Sequence, residues 1–388
     1  MNDLIQLSEL GEIITGNTPS TSDNANYESD DILFVKPSDI SNDRISYIEN
    51  TENYISNYAK EKARVVPSDT VFCTCIGIIG KVGIATKDSA FNQQINAIIP
   101  DKNKVTSDYL AYALMAKRNY MQVKANAAVV PIINKSQFAE LKIKYVSLEE
   151  QRCITDKFQL IDSLIAKREK QIETIEYLVK SRFVEMFGDN TYPKVKSAEI
   201  CDFITKGTTP ASKDILPSEE EDTIPYLKVY NLSFTGDLLF RQEPQYISRE
   251  IHEGKLARSK VYPNDILMNI VGPPLGKFAL VTDEYSEWNI NQAIAIFRAK
   301  ERILPKFLLS ALMQEKVIQP FIDQAVGVRQ LNISLEQCRN LELILPPLEE
   351  QKKYVSFIEQ VDKSKLAVQQ SIETLQTLKA KLMQDYFS

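Results

Sequence analysis

Leu148-Glu149-Glu150-Gln151, in the middle of the chain, returns as Leu348-Glu349-Glu350-Gln351 near its end, and Ile172-Glu173-Thr174 returns as Ile372-Glu373-Thr374. Both pairs are 200 residues apart (348 minus 148, 372 minus 172), and Phe187 and Phe387 keep the same register. Upstream the offset shrinks. Asn134 pairs with Asn332 and Gln94 with Gln292 at 198, Gly80-Lys81 with Gly276-Lys277 and Pro67-Ser68-Asp69 with Pro263-Asn264-Asp265 at 196, and Thr18-Pro19 with Thr209-Pro210 at 191. Loops of unequal length between matched elements produce that drift. The chain is one unit written twice, from about residue 1 to 188 and from about 192 to 388.

Each copy has two parts. In the first, short apolar runs such as Ile32-Leu33-Phe34-Val35, Val71-Phe72-Cys73 and Ala97-Ile98-Ile99 are bounded by Pro, Ser, Asp and Gly, which is how short strands read. Residues 108–121 form a helix among them, with a counterpart over 306–321 interrupted late by Pro320. In the second part, residues 149–187 contain no Gly or Pro; Ser147 and Glu150 form a capping box in front, and Gly188 stops the helix behind. The expected division is two mixed lobes at 1–146 and 192–345, each followed by a long helix, at 147–188 and 346–388.

Ile154, Phe158, Ile161, Ile165, Arg168, Ile172, Ile175, Val179, Arg182 and Met186 are spaced alternately by four and three, a heptad seam. The second copy offers Tyr354, Ile358, Val361, Lys365, Val368, Ile372, Leu375, Lys379, Leu382 and Tyr386. Arg168 stands where the other copy has Val368, and Lys379 where it has Val179, so the seams are complementary. Two-fold related halves require these helices to pair antiparallel within one chain. At about 1.5 Å per residue each makes a rod of roughly 55 to 60 Å. The fold class expected is α+β: two mixed α/β domains in pseudo-two-fold relation, joined by two antiparallel coiled-coil helices.

Catalytic chemistry is hard to find. His252 is the only histidine and lies in the polar stretch 248–255, which reads as solvated surface; one histidine excludes His-based zinc sites, and no metal site is expected. Gly272-Pro273-Pro274-Leu275-Gly276-Lys277 and Gly77-Ile78-Ile79-Gly80-Lys81-Val82 each have three residues between the glycines and no Ser or Thr after the lysine, so neither is a phosphate loop. What remains is a Gly-Lys turn with one projecting cation. There is no Gly-x-Gly-x-x-Gly for a dinucleotide or S-adenosylmethionine. Cys73, Cys75, Cys153, Cys201 and Cys338 are scattered and read as small buried hydrophobes. The net charge of -6 opposes a protein that coats nucleic acid by bulk charge, yet leaves room for a local basic face. With neither a signal peptide nor an apolar run of membrane-spanning length, a cytoplasmic protein with no membrane partner is expected.

At this point the residues resemble the specificity subunits of type I restriction-modification enzymes. The resemblance rests on the duplication, on Gly16-Asn17-Thr18-Pro19 mirrored by Lys206-Gly207-Thr208-Thr209-Pro210, on Ile224-Pro225-Tyr226-Leu227-Lys228, on Asn291-Gln292 before an apolar strand, and on Leu343-Ile344-Leu345-Pro346-Pro347-Leu348-Glu349-Glu350-Gln351. The first copy enters its helix through Lys144-Tyr145-Val146-Ser147 and lacks both prolines, so its entry geometry differs. The resemblance implies a subunit without catalysis of its own, which gives double-stranded DNA specificity to two methyltransferase subunits and to restriction and translocation subunits. S-adenosylmethionine, ATP and magnesium would belong to those partners, with no cofactor in this chain. Each lobe would read half of a bipartite, asymmetric site for adenine methylation, and the paired helices would set the gap.

Arg and Lys suit guanine, and Asn and Gln suit adenine, in the major groove. In the first lobe the candidates are Lys36, Lys81, Asn92, Gln93 and Gln94, then Asn134, Lys135 and Gln137. In the second they are Lys228, Tyr230, Asn231, Lys277, Asn291, Gln292, Arg329, Gln330 and Asn332. Lys36 with Lys228 and Lys81 with Lys277 are matched pairs and rank first. Arg168, Lys170, Arg182 and Glu185 on the outer helix faces are candidates for docking the methyltransferase subunits. Two other readings fit the same text: a duplicated scaffold that bridges protein partners without DNA, and the specificity subunit of a related multisubunit type II restriction enzyme.

Overall fold

The computed structural model describes residues 4–125, 130–188, 191–272, 274–323 and 331–387. They form two compact units, residues 1–170 with 369–388, and residues 171–368.

In the first unit a sheet orders its strands as Gly11–Thr15, Ile95–Pro100, Val71–Thr74, Val82–Ala85 and Ser46–Ile48, antiparallel except for the last pair. A second sheet orders Tyr54–Ile55, Ile32–Val35, Ser89–Phe91 and Val65–Val66, its central pair parallel. Val71–Thr74 and Ile32–Val35 are buried along their whole length, which is why they read as continuous apolar runs. The second unit repeats this plan. One sheet orders Cys201–Lys206, Ile294–Ala299, Ile266–Asn269 and Phe278–Leu280, and the other Tyr246–Ser248, Thr223–Leu227, Trp288–Ile290 and Lys260–Val261, again with a parallel central pair. In each lobe a two-stranded ribbon joins the two ends of the segment, Leu4–Gln6 with Lys142–Lys144 and Lys194–Lys196 with Glu342–Ile344.

The helix expected over 108–121 is two helices, Ser107–Ala116 and Arg118–Ala125, because the backbone of Lys117 leaves the helical region with ψ at 0°. Its counterpart breaks at Met313, between Pro305–Leu312 and Glu315–Asp323, and Pro320 lies inside the second piece instead of ending it. Cys153 also departs from expectation: it is exposed on a long helix, while the other four cysteines are buried.

The long helices run Leu148–Phe187 and Leu348–Phe387, 40 residues each. Ser147 caps the first, its hydroxyl accepting from the Glu150 N–H at 3.2 Å. Gln151 explains the recurrent tetrapeptide. Fully buried, its Oε1 accepts from Thr106 N–H at 2.9 Å, and its Nε2 donates to the carbonyls of Lys104 and Val146 at 2.8 and 3.0 Å. Gln351 does the same with Leu304 N–H at 2.9 Å and the carbonyls of Arg302 and Pro346 at 3.2 and 2.8 Å. Each long helix is thereby bolted to the lobe that precedes it.

Inside the first unit, Ile154 and Phe158 from the opening turns of the first long helix share a core with Leu382, Met383, Tyr386 and Phe387 from the closing turns of the second. Inside the second unit, Phe183 and Phe187 from the end of the first share a core with Tyr354 and Ile358 from the start of the second. Start meets end in both, so the pairing is antiparallel. The two seam lysines are neutralised: Lys365 Nζ lies 3.0 Å from Glu176 and 2.9 Å from Asp237, and Lys379 Nζ lies 2.5 Å from Asp162.

Candidate nucleic-acid interface

Antiparallel order in the main sheet brings strand ends together. Gly11–Thr15 and Val71–Thr74 finish where Ile95–Pro100 begins, so the segments that follow Thr15 and Thr74 and the turn that precedes Ile95 emerge at one end of the first lobe. Backbone hydrogen bonds stitch these segments: Gly16 N–H to Ile95 O at 3.1 Å, Asn17 N–H to Phe91 O at 3.0 Å, Cys75 N–H to Gln94 O at 2.8 Å, and Ile133 N–H to Cys75 O at 2.9 Å. Asn92 N–H to Val35 O, at 3.1 Å, brings the neighbour of Lys36 into the same cluster. Gly16 is required there, since a Cβ would run into the carbonyls of Phe91 and Asn92. The second lobe reproduces the set with Gly207 N–H to Ile294 O at 3.0 Å, Asn291 N–H to Leu227 O at 3.0 Å, Ile270 N–H to Ala293 O at 2.8 Å and Ile333 N–H to Ile270 O at 2.8 Å. Gly207 packs on the carbonyls of Ile290 and Asn291 in the same way.

These stitches change two of the expected pairings. Gln94 N–H donates to Asn92 Oδ1 and Ala293 N–H to Asn291 Oδ1, so Gln292 is the counterpart of Gln93 and not of Gln94. Asn134 caps the helix Lys135–Ala139 in a capping box with Gln137, and Ser334 caps Leu335–Arg339 in a capping box with Gln337. Asn134 therefore corresponds to Ser334, while Asn332 belongs to the preceding strand, Leu331–Asn332, which pairs with Val271–Gly272.

Several expected readers are engaged in holding their own turns. Asn92 is buried, with Nδ2 bonded to Gln94 Oε1 at 2.9 Å. Asn231 is buried and accepts from Lys228 N–H at 2.9 Å. Asn291 accepts from Ala293, and Asn134 and Gln137 satisfy each other. Lys81 does not project: it is buried, and its Nζ donates to Pro37 O at 2.8 Å, across to the turn that follows Lys36. Its counterpart Lys277 is half-buried with Nζ 5.7 Å above the exposed ring of Phe234, so the matched pair has diverged in role.

The side chains left at the surface are fewer. Gln93 and Gln292 are exposed beside the threonines of the Thr-Pro loops, Gln93 Oε1 accepting from Thr18 Oγ1 at 2.7 Å and Gln292 N–H donating to Thr209 Oγ1 at 3.4 Å. Lys135 and Asn332 are exposed; Lys36 and Lys228 are half-buried at matched strand ends. Tyr230 is half-buried, and burial raises the pKa of its hydroxyl, which lies in the interior without a hydrogen-bond partner among the described residues. Arg329 and Gln330 lie outside the described residues.

Two exposed arginines went unread in the sequence. Arg64 donates to Thr15 O, and Arg258 donates to Thr208 Oγ1 through Nε and Nη2 at 3.2 and 3.1 Å. Each brackets the Gly-x-Thr-Pro loop of its lobe. The one available signal was a basic residue just ahead of a short strand, Val65–Val66 or Lys260–Val261.

His252 is not a surface residue. It is fully buried, with Nδ1 3.0 Å from Asn289 Nδ2, and desolvation holds its pKa below the ordinary value against the pull of Glu287. The ligand atoms of His252, Glu253 and Glu287 lie within 4.8 Å of one another. Asn289 Nδ2 also donates to Leu256 O at 3.2 Å, which makes His252 Nδ1 the acceptor and leaves the proton on Nε2. Glu253 and Glu287 are already paired with Lys260 and Arg249, at 2.5 and 3.0 Å. The two carboxylates thus serve a salt-bridged packing cluster around the buried imidazole.

The family model described as type I restriction modification DNA specificity domain matches residues 2–177 and again residues 190–377. The MjaIX type I restriction enzyme specificity subunit of Methanocaldococcus jannaschii is 31% identical over 237 residues, 59% of this chain and 54% of that one. The chain thus spans about half the length of that relative, and 73% of the MjaVIII specificity subunit of the same organism, which is 24% identical. Among solved structures, a chain from work on complex assembly and conformational transition of the type I R-M system superposes with a TM-score of 0.60 at 16% identity, covering 99% of this chain and 97% of its own. The type I restriction-modification S subunit from M. genitalium gives 0.53 at 14% identity, covering 100% and 96%. Both share the fold.

Proposed function

Since the chain belongs to the type I restriction-modification DNA specificity family and carries that domain twice, we propose that each lobe reads one half of a bipartite DNA site through the loop cluster at the end of its main sheet. The observation that carries this reading is the repeated cluster itself. The same glycine, threonine, amide and basic side chains are brought together by the same backbone bonds in two lobes whose remaining loop residues differ. Symmetric frames with unlike surfaces suit an asymmetric site in double-stranded DNA.

On this reading the chain performs no catalysis and works in the cytoplasm. It places two methyltransferase subunits, with restriction and translocation subunits, on DNA, and the paired helices set the number of base pairs between the halves. S-adenosylmethionine, ATP and magnesium belong to those partners. Among the described residues no helix is long and apolar enough to cross a membrane.

The test is methylome sequencing of a host that expresses the chain with its methyltransferase. Exchange of residues 192–345 for the lobe of another family member should change one half of the methylated motif and leave the other. Alteration of both halves, or of neither, would overturn the assignment of one lobe to one half.

A further inference from the structure

The first lobe carries an apolar tip in the middle of its loop cluster. Ile78 is 52% exposed, Ile132 42% and Val130 55%. Exposed aliphatic side chains are ordinary when scattered, but these three lie on segments bonded to one another: Gly77 N–H donates to Pro131 O at 3.1 Å, and Ile76 bridges Ile132. The tip is also pinned. Thr74 Oγ1 donates to Ile78 O at 2.5 Å and accepts from Lys81 N–H at 3.0 Å, while Gly80 N–H returns to Thr74 O at 2.9 Å. Gly77 and Gly80 supply the left-handed backbone that closes the turn, at φ of 74° and 83°.

The surroundings of the tip are one-signed. Residues 74–82, 117–125 and 130–137, from the turn and the two segments that touch it, hold Lys117, Arg118, Lys124 and Lys135 besides the buried Lys81, and not one Asp or Glu, in a chain whose net charge is -6. Gln122 Nε2 reaches Ile79 O at 3.4 Å, and Arg118 packs against Gly80, which joins the second segment to the turn. In the second lobe the position of Ile78 is held by the exposed Pro274, Leu275 is buried as its counterpart Ile79 is, and the corresponding helix Glu315–Asp323 begins and ends on a carboxylate.

A pinned aliphatic group rimmed by cations matches the one apolar feature of the major groove, the C5-methyl of thymine, which is framed by phosphates. Resting on the DNA reading above, we infer that Ile78, flanked by Ile132, is a specificity-determining residue that contacts a thymine methyl in the half-site read by the first lobe.

The experiment uses the assembled complex of the chain with its methyltransferase subunits and duplexes that carry the methylated motif. Each thymine of the half-site assigned to residues 1–146 is replaced in turn by deoxyuridine, which removes only the methyl. One position should weaken binding about fourfold, the worth of burying one methyl-sized group. Ile78→Ala should lose a similar factor on the thymine duplex and become indifferent to deoxyuridine at that position. A half-site without thymine, or identical deoxyuridine profiles for wild type and Ile78→Ala while specific binding persists, would overturn the inference and leave the DNA reading standing. Loss of methyltransferase association in Ile78→Ala would mark the tip as a protein contact and overturn it likewise. No preference for the methylated motif at all would remove the DNA reading and this inference together.

Discussion

Lys379 Nζ lies 2.5 Å from Asp162 Oδ1, and Tyr112 Oη donates to the other oxygen of the same carboxylate at 2.8 Å. Lys379 occupies a seam position that holds Val179 in the other copy, and its side chain is 14% exposed against 26% for Asp162. A charge in an apolar seam is tolerated because its partner is there, and removal of one member strands the other. Lys379→Ala should lower stability by about 2 kcal/mol, below the 3 to 5 of a fully buried pair. Lys379→Val with Asp162→Asn should recover most of that loss. Urea midpoints of the single and double variants decide it: a double variant no more stable than Lys379→Ala would show that the pair is not coupled.

The pH dependence turns on His252. Its folded pKa lies below the ordinary value, so as pH falls through about 6.5 the unfolded chain takes up a proton that the folded chain refuses. Stability from this group is complete above that pH and is lost below it. The melting temperature should drop between pH 7 and pH 5, and His252→Leu, the only histidine removed, should flatten that slope even if its midpoint at pH 7 is lower. An unchanged slope would assign the effect to carboxylates.

A Cβ at residue 207 meets the carbonyls of Ile290 and Asn291, neither of which can retreat without breaking its strand or turn. Gly207→Ala should cost about 2 to 3 kcal/mol as the loop is forced off the turn. Methylation at the motif should fall with it. A crystal structure or denaturation curve indistinguishable from wild type would show that the close approach is relieved elsewhere.

Readers and anchors should separate by salt. Gln93→Ala and Gln292→Ala should each relax one half of the motif, by about 1 to 3 kcal/mol of discrimination at one base. Arg64→Ala and Arg258→Ala should weaken binding to all sequences and reduce the slope of log affinity against log salt by about one. Anisotropy titrations over a salt series measure both effects.

The frame was legible because its signals are collective. Heptad spacing, the absence of Gly and Pro over forty-residue helices, and a register shared by Gln151 and Gln351 all constrain one another. The site was legible as a place and much less so as a set of roles. Asn92, Asn134 and Asn231 carry the amides that would suit adenine, but an asparagine in a tight turn also bonds nearby backbone, and here Asn92 and Asn134 accept from two and three residues on and Asn231 from three residues back. The inward course of Lys81 is invisible in sequence because a lysine stem can lie along a lobe and deliver its ammonium to a carbonyl far away in the chain. His252 sits among charged residues in sequence, yet the helix Arg249–Glu253 turns it inward toward Asn289, which no local pattern announces.

The side-chain hydrogen bonds of the glutamine at the head of each long helix all go to main-chain groups, at 104, 106 and 146 in one case and 302, 304 and 346 in the other. These bonds do not depend on which side chains stand at those six positions. A foreign lobe of the same backbone could take up the same bonds, and what it would still have to match is the packing of its core on Ile154 and Phe158, or on Tyr354 and Ile358.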